Sequence, residues 1–199
     1  MQQAISTFHS SLDKVEHLGG LRQALNALTA PVLDTSDILR SQIVLSVSAL
    51  DYYIHEITVL GMIDIYERRR PPTDAFLKFR IPVSSWASTG TIPSGSSWFA
   101  SEVRERHGFL SFQQPDKIAD AIRLISTVRL WRAVAAHLST DEESVKNRLR
   151  LIVERRNKIA HEADIDPSYP GQRWPILEND VNGAISFLRS LGDAIHAVV

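Results

Sequence analysis

The segment RNKIAH, residues 156 to 161, carries three side chains whose types and spacing suit chemistry. They are the guanidinium of Arg156, the carboxamide of Asn157 and the imidazole of His161. Imidazole titrates near neutral pH and can transfer a proton, and a guanidinium is a planar, bidentate donor for phosphate or carboxylate oxygens. Together these residue types predict a site that moves protons and stabilises negative charge.

The residues that precede this segment predict the helix that positions it. Thr140 and Glu143 fit a capping box, in which the Thr hydroxyl and the Glu carboxylate bond the amides at a helix start. At ~100° per residue, the following helix has one apolar face. That face consists of Val145, Leu149, Ile152, Arg156 and Ala160, with Val153 and Ile159 beside it. Because a guanidinium stays charged, Arg156 must be paired or partly solvated there.

Asn157 and His161 lie four residues apart and share a neighbouring edge of this helix with Arg150 and Glu154. A purely structural role fits the same residues. In that interpretation, the head group of Arg156 reaches solvent, His161 meets the terminal carbonyls and the helix dipole, and Asn157 is incidental. Short motifs recur by chance, so this segment alone does not decide between a site and an ordinary helix end.

A second polar group lies in an earlier predicted helix, residues 37 to 69. This helix is apolar on two sides, and Ser48, Asp51 and His55 form a polar row between the apolar rows. Asp51 is therefore a candidate to hold Arg156 or a histidine in place. An ordinary Asp-His pair on a solvated stripe explains the row as well.

The hydrophobic periodicity predicts an all-α bundle of five or six helices in a single domain, residues 1 to 199. No strand-like alternation of useful length is present. Besides the two helices above, the predicted helices are 3 to 29, Ser96 or Ser97 to His107, 115 to 138, and Pro175 to the C-terminus. Residues 71 to 111 predict an inserted lobe of loops and short helix, because 81 to 97 is rich in Ser, Pro and Gly.

Composition excludes several classes of function. The chain has 22 basic and 23 acidic residues and no cysteine, which rules out disulfides, thiolate metal sites and thiol nucleophiles. No histidine and carboxylate set has ligand spacing, and no Gly-rich phosphate loop is present, so we expect neither metal nor cofactor. No stretch approaches ~18 uninterrupted apolar residues, and the N-terminus lacks signal-peptide features. We therefore expect a soluble protein of the cytoplasm that does not enter a membrane.

RNKIAH matches the Arg-x4-His motif, with Asn directly after the Arg, that marks HEPN domains. The chain resembles the RiboL-PSP subgroup of HEPN proteins over residues 37 to 69 and 112 to 198. The segments that carry this resemblance are SALDYYIHEI, FQQPDKIADAIRLISTVRLW and a helix that ends in IVERRNKIAH. The resemblance implies an HEPN-like bundle, metal-independent endoribonuclease activity, a homodimer with facing motif helices, and a role as toxin or phage-defence effector. Many toxin members carry Tyr two residues after the His. This chain has Ala163, which argues against the subgroup with nucleotidylating antitoxins.

The resemblance also assigns roles to residues. In this family RNA is cleaved by attack of the 2′-OH on the adjacent phosphate, which needs proton transfer and stabilisation of the phosphorane. His161 would transfer the proton and Arg156 would stabilise the phosphorane. Asn157 would orient the phosphate or the imidazole. A two-fold dimer places both copies of His161 near one phosphate, and the apolar stripe around Arg156 is then the seam between subunits.

Further residues are predicted to surround this site. Asp51, His55 and Glu154 are expected to support it, and Arg132, Arg150, Arg155 and Lys158 to contact RNA. The alternative for such basic residues is a solvated surface. An antitoxin or other regulatory protein would be a further partner of a toxin.

Two other functions fit the same sequence. The first is a non-catalytic HEPN-like helical module that binds a protein partner or a nucleotide through the same groove. The second is a plain helical dimerisation module. RNA cleavage that depends on His161 separates the ribonuclease from both.

Overall fold

The structure is a computed structural model that describes residues 1–29, 33–83, 95–169 and 171–199. Within these ranges the chain forms eight helices and no strand, apart from a single antiparallel bridge between Ile165 and Arg173. The helices are α1 (Gln2–Leu28), α2 (Ser36–Tyr66), α3 (Asp74–Leu77), α4 (Ser97–His107), α5 (Pro115–Arg123), α6 (Leu130–His137), α7 (Glu142–His161) and α8 (Glu178–Val198). The predicted all-α class is confirmed.

Helix α2 is the centre of the bundle, and α1, α4, α5, α7 and α8 all pack against it. One predicted apolar row is buried throughout, namely Leu39, Ile43, Val47, Leu50, Ile54 and Ile57. The other row is divided, because Ala49 and Val59 are buried whereas Leu45 and Tyr52 are 46% and 54% exposed. Helix α2 therefore has one free edge, which carries two large apolar side chains.

Helix α2 also meets the length and hydropathy criteria for a membrane span, and it is the one such helix in the ranges given above. Over that apolar window, 56% is buried inside the bundle. This amount of burial is typical of the core helix of a folded domain.

Helix α1 is continuous through Gly19 and Gly20. Its buried residues, Ala4, Ile5, Phe8, Leu12 and Val15, all precede the two glycines. Beyond them the predicted apolar face is open to solvent, with Leu21 and Leu28 exposed by 53% and 84%. The periodicity was therefore right about the helix, but only its first half packs on the core.

The helix predicted over residues 115 to 138 is wrong as a single element, because it divides into α5 and α6. Long-range donors bond the carbonyls at the break. The Thr73 hydroxyl donates to the carbonyls of Arg123 and Leu124 at 2.9 and 3.1 Å, and the Arg70 guanidinium donates to Ile125 at 2.9 Å. With these carbonyls bonded to side chains, the chain turns before it begins α6.

The start of α7 lies one residue from the predicted position. Asp141, and not Thr140, is the N-cap, and its carboxylate accepts a hydrogen bond from the Ser144 amide at 2.8 Å. The hydrogen bonds from the Ser144 hydroxyl and amide lower the pKa of the Asp141 carboxyl. An aspartate at the N-cap also carries a charge that suits the positive end of the helix dipole.

Aromatic side chains anchor α4 to the end of α2. The predicted short helix is confirmed as α4, with Ser96 at its N-cap. Phe99 stacks on Tyr66, the last residue of α2, with ring centroids 4.9 Å apart, and Trp98 meets the edge of the same ring at 5.9 Å. Most of the predicted loop 81 to 97 lies outside the described residues, and the division of the chain into one domain with an inserted lobe stays a prediction.

Candidate functional site

The chemical motif lies at the C-terminal end of α7. The first part of the predicted apolar face, Val145, Leu149, Ile152 and Val153, is buried. The face opens toward the helix end, where Arg156 and Ile159 are half-buried and Ala160 is exposed. The core thus fixes α7 along most of its length and leaves its last turns accessible.

Arg156 and Asn157 are joined in the structure. One terminal nitrogen of Arg156 donates to the side-chain oxygen of Asn157 at 3.0 Å. The Nε of Arg156 is buried and has no hydrogen-bond partner among the described residues. The guanidinium is therefore held on one side by Asn157, with its Nε buried against the protein.

His161 is the last residue of α7 and is exposed to solvent. In the described part of the chain, its ring makes no hydrogen bond or ion pair within the subunit. Five residues of α-helix rotate a side chain by about 140° from Arg156 and advance it by about 7.5 Å. The two side chains thus leave the helix in different directions, although the hydrogen bond to Asn157 turns the guanidinium toward the edge that Asn157 shares with His161.

The backbone after α7 reverses through two residues with left-handed torsion angles, Ala163 at φ 51° and Asp164 at φ 59°. The amides of Glu162 and Asp164 both donate to the carbonyl of Lys158, at 3.0 and 2.9 Å. These bonds close the helix end that carries His161. The αL conformation is costly for residues with a Cβ, so a stabilising contact is expected nearby.

That contact is a buried cluster centred on Asp164, whose side chain is 1% exposed. Its Oδ2 accepts hydrogen bonds from Arg40 Nε at 2.7 Å and from Arg155 at 2.9 Å. The carbonyl of Trp174 accepts from both arginines, at 2.9 Å from Arg40 and 3.3 Å from Arg155. One carboxylate and one carbonyl thus hold α2, α7 and the segment before α8 together.

Sequence reasoning missed Asp164 and Arg40. The available signal was Arg40, which stands between the apolar residues Leu39 and Ile43 of α2 and therefore needs a buried partner. Arg155, which was predicted to contact RNA, bonds Asp164 and the carbonyls of Trp174 and Pro175 through one terminal nitrogen, and its contact with RNA stays a prediction. Burial lowers the pKa of the Arg155 guanidinium, and the charge of Asp164 opposes this shift.

A cleft of about 450 Å³ opens between the N-terminal half of α2 and the end of α7. Val44, Leu45, Ile159 and Ala160 form apolar walls, and Asp37, Arg40, Asp164 and Arg173 are its polar lining. Arg156 and His161 do not line it, although both are close in sequence to Ala160. Ala163 also lines this cleft.

Asp51 and His55 lie beside each other, as the Asp-His interpretation of this row predicts, and both contact the segment before α5. The Asp51 carboxylate accepts from the Phe112 amide at 2.6 Å and from the Gln113 side chain at 2.9 Å. His55 Nε2 lies 3.6 Å from Asp51, and its ring packs on Phe112 with centroids 4.4 Å apart. No hydrogen bond or ion pair joins Asp51 to Arg156 within the described ranges. The pair instead fastens the segment before α5 to the core helix.

The remaining predicted residues occupy two locations. Glu154 is exposed, Arg150 bonds Glu143 and Asn147 along the outer side of α7, and Lys158 lies over the Trp174 ring at 5.1 Å. Arg132 lines a different cavity together with Glu142, the first residue of α7. The first and last residues of this helix are about 28 Å apart along its axis, so Arg132 is remote from His161.

No group of three or more metal-binding side chains occurs among the described residues. A helical bundle with an Arg-x4-His motif at the end of a core-packed helix has the features of an HEPN protein. The sequence model of the RiboL-PSP-HEPN family matches residues 11–199, and the chain belongs to this family. Searches of curated proteins and of solved structures found no match.

Proposed function

We propose that the protein is a metal-independent endoribonuclease that works as a homodimer, with Arg156, Asn157 and His161 at its active site. The observation that carries this proposal is the exposure and the hydrogen bonding of the motif at the end of α7. His161 is exposed and unbonded within its subunit, and Arg156 bonds only the side chain of Asn157, among the described residues. An ordinary helix cap would bond these groups to its own carbonyls.

The number of motif histidines favours a site shared by two chains. Each chain supplies one motif histidine, so a separate base and acid come most simply from two copies. A two-fold axis beside the exposed end of α7 brings His161 of one chain toward the partner's motif. The exposed Leu45 and Tyr52 on the free edge of α2 provide apolar surface that such a contact would cover.

The proposed reaction uses the side chains of both subunits. One His161 takes the proton of the 2′-OH as its oxygen bonds phosphorus, and the bond from phosphorus to the 5′-oxygen breaks. The partner's His161 protonates that leaving oxygen, so the products are a 2′,3′-cyclic phosphate and a 5′-OH. Arg156 stabilises the negative charge of the phosphorane, while Asn157 holds the guanidinium in place. The chemistry needs no metal ion or cofactor.

The test is cleavage of RNA in EDTA by the wild type and by His161→Ala. We expect the wild type to leave 2′,3′-cyclic phosphate ends, and the variant to be slower by about 100-fold or more, since general acid-base catalysis typically contributes ~10² to 10⁴. His137→Ala is the matched control, because His137 is also an exposed last residue of a helix. Equal cleavage by the wild type and His161→Ala contradicts the assignment.

Arg156→Lys tests the second group, because it keeps the charge and removes the planar fork. We expect a lower rate of cleavage with an unchanged helical content. If the wild type leaves RNA intact at a concentration where it is dimeric, the ribonuclease proposal fails. A non-catalytic module is then favoured, for which the apolar walls of the cleft between α2 and α7 would be the binding surface.

The biological setting rests on the family. We propose a cytoplasmic toxin or phage-defence effector that acts on RNA, with an antitoxin or other regulatory protein as a further partner. Growth arrest on expression, relieved by Arg156→Ala, tests this setting. If Arg156→Ala arrests growth as the wild type does, the arrest does not come from the proposed active site.

A further inference from the structure

A second cavity, of about 880 Å³, lies at the opposite end of α7 from the motif. Its walls come from α3, from both sides of the break between α5 and α6, and from the first residue of α7. Pro72, Val128 and Leu130 contribute apolar surface. A concave site of this size, with mixed apolar and polar walls, lies within the ~300–1,000 Å³ range of small-molecule sites.

Positive charge predominates in this cavity. Lys78, Arg123, Arg129 and Arg132 line it, against the two acids Asp74 and Glu142. Arg123 is paired with Asp120, and Glu142 lies 3.4 Å from Lys146. Lys78, Arg129 and Arg132 make no ion pair with any residue in the described ranges. Three cations at one concave surface therefore remain available to an anion.

The start of α6 adds donors to the same surface. Arg129 is the N-cap of this helix and provides no side-chain cap, and the amides of Leu130 and Trp131 have no acceptor among the described residues. The amides at the first turn of a helix and its dipole both favour negative charge. The bonds from Thr73 and Arg70 to the carbonyls before α6 fix the turn that presents these donors.

We propose that this cavity binds the phosphate groups of a nucleotide, either free or within an RNA strand. Arginines and helix amides are the groups that bind phosphate oxygens, and the apolar wall has room for a base or sugar. The cavity lies about 28 Å along α7 from His161 and shares none of its lining with the motif. The proposal is therefore independent of the ribonuclease activity.

The experiment measures the binding of two probes to two full-length proteins, the wild type and the double variant Arg129→Ala/Arg132→Ala. One probe is ATP, followed by calorimetry, and the other is a short fluorescent RNA with 2′-O-methyl groups, which cannot be cut by 2′-OH attack. We expect the double variant to raise the Kd by about tenfold or more, because two charge-assisted hydrogen bonds are lost. A change with ATP identifies a free nucleotide, and a change with the RNA alone identifies strand phosphates.

The control is Lys14→Ala/Lys117→Ala, which removes the same charge from exposed positions outside the cavity. We expect its Kd to stay within about twofold of the wild type, since neither lysine lines the cavity and exposed charges are screened by salt. Thermal unfolding of both double variants shows that each is folded. The proposal is overturned if the wild type binds neither probe, or if both double variants weaken binding equally.

Discussion

Arginines gather at both ends of α7, and their surroundings differ. At the C-terminal end, Arg40 and Arg155 share the buried Asp164, and Trp174 supplies a further acceptor. At the N-terminal end, Arg129 and Arg132 line an open cavity without an ion-pair partner in the described ranges. The presence of a buried acid decides whether an arginine holds the fold together or remains available to a ligand.

The same contrast separates two neighbours in sequence. Arg155 is committed to Asp164 and to two backbone carbonyls, whereas Arg156 bonds only the adjacent Asn157 and keeps a free Nε within the described structure. Adjacent positions on a helix point about 100° apart, so one faces the buried cluster and the other does not. Stability should therefore depend on Arg155, and activity on Arg156.

Asp164→Asn should have the largest effect on stability. The variant keeps a residue that tolerates the left-handed conformation but removes the charge that compensates Arg40 and Arg155. We expect a loss of about 3 to 5 kcal/mol in the free energy of unfolding, measured with urea. Glu154→Gln, at an exposed position of α7, should change it by less than about 0.5 kcal/mol. Equal losses in the free energy of unfolding for Asp164→Asn and Glu154→Gln would contradict the role given to Asp164 at the C-terminal end of α7.

Arg155→Ala and Arg156→Ala sharpen the contrast between the neighbours. We expect Arg155→Ala to lower the free energy of unfolding by about 1 to 3 kcal/mol, because Asp164 and the Trp174 carbonyl each lose one of their two arginine donors. Arg156→Ala should cost less, through lost packing of its stem, and should abolish RNA cleavage. Urea unfolding and a cleavage assay on both variants check this. A larger stability loss for Arg156→Ala would reverse the assignment of roles.

Arg129→Ala/Arg132→Ala should have the smallest effect on stability. Both side chains are exposed and make no ion pair in the described part of the chain, so we expect a change within about 0.5 kcal/mol. Urea unfolding of the double variant measures it. A loss of several kcal/mol would mean that these arginines stabilise the fold, as Arg40 does.

Local patterns predicted the long helices well. The row from Leu39 to Ile57 in α2 and the buried face of α8 follow from apolar spacing, which depends only on near neighbours. The break after Arg123 could not be predicted from apolar spacing. The carbonyls at the break are bonded by Arg70 and Thr73, which lie some 50 residues earlier in the chain.

The site shows the same division between local and long-range information. The Arg-x4-His segment can be read directly from the sequence, and its position at a helix end followed from the predicted cap and apolar face. Asp164 was missed because its partner Arg40 is 124 residues away. Asp51 was a candidate to hold Arg156 or a histidine. It lies 3.6 Å from His55 Nε2, and its bonds to Phe112 and Gln113, some 60 residues away, could not be predicted from local pattern.

Mixing wild-type subunits with inactive His161→Ala subunits tests most directly whether one active site needs both chains. The mixture is unfolded and refolded so that subunits exchange, and RNA cleavage is measured in EDTA at constant total protein. If each site requires His161 from both subunits, the activity at equal amounts should be about one quarter of the wild-type value. A value near one half, which indicates a site complete within one chain, would contradict the account, as would the absence of cleavage by the wild type.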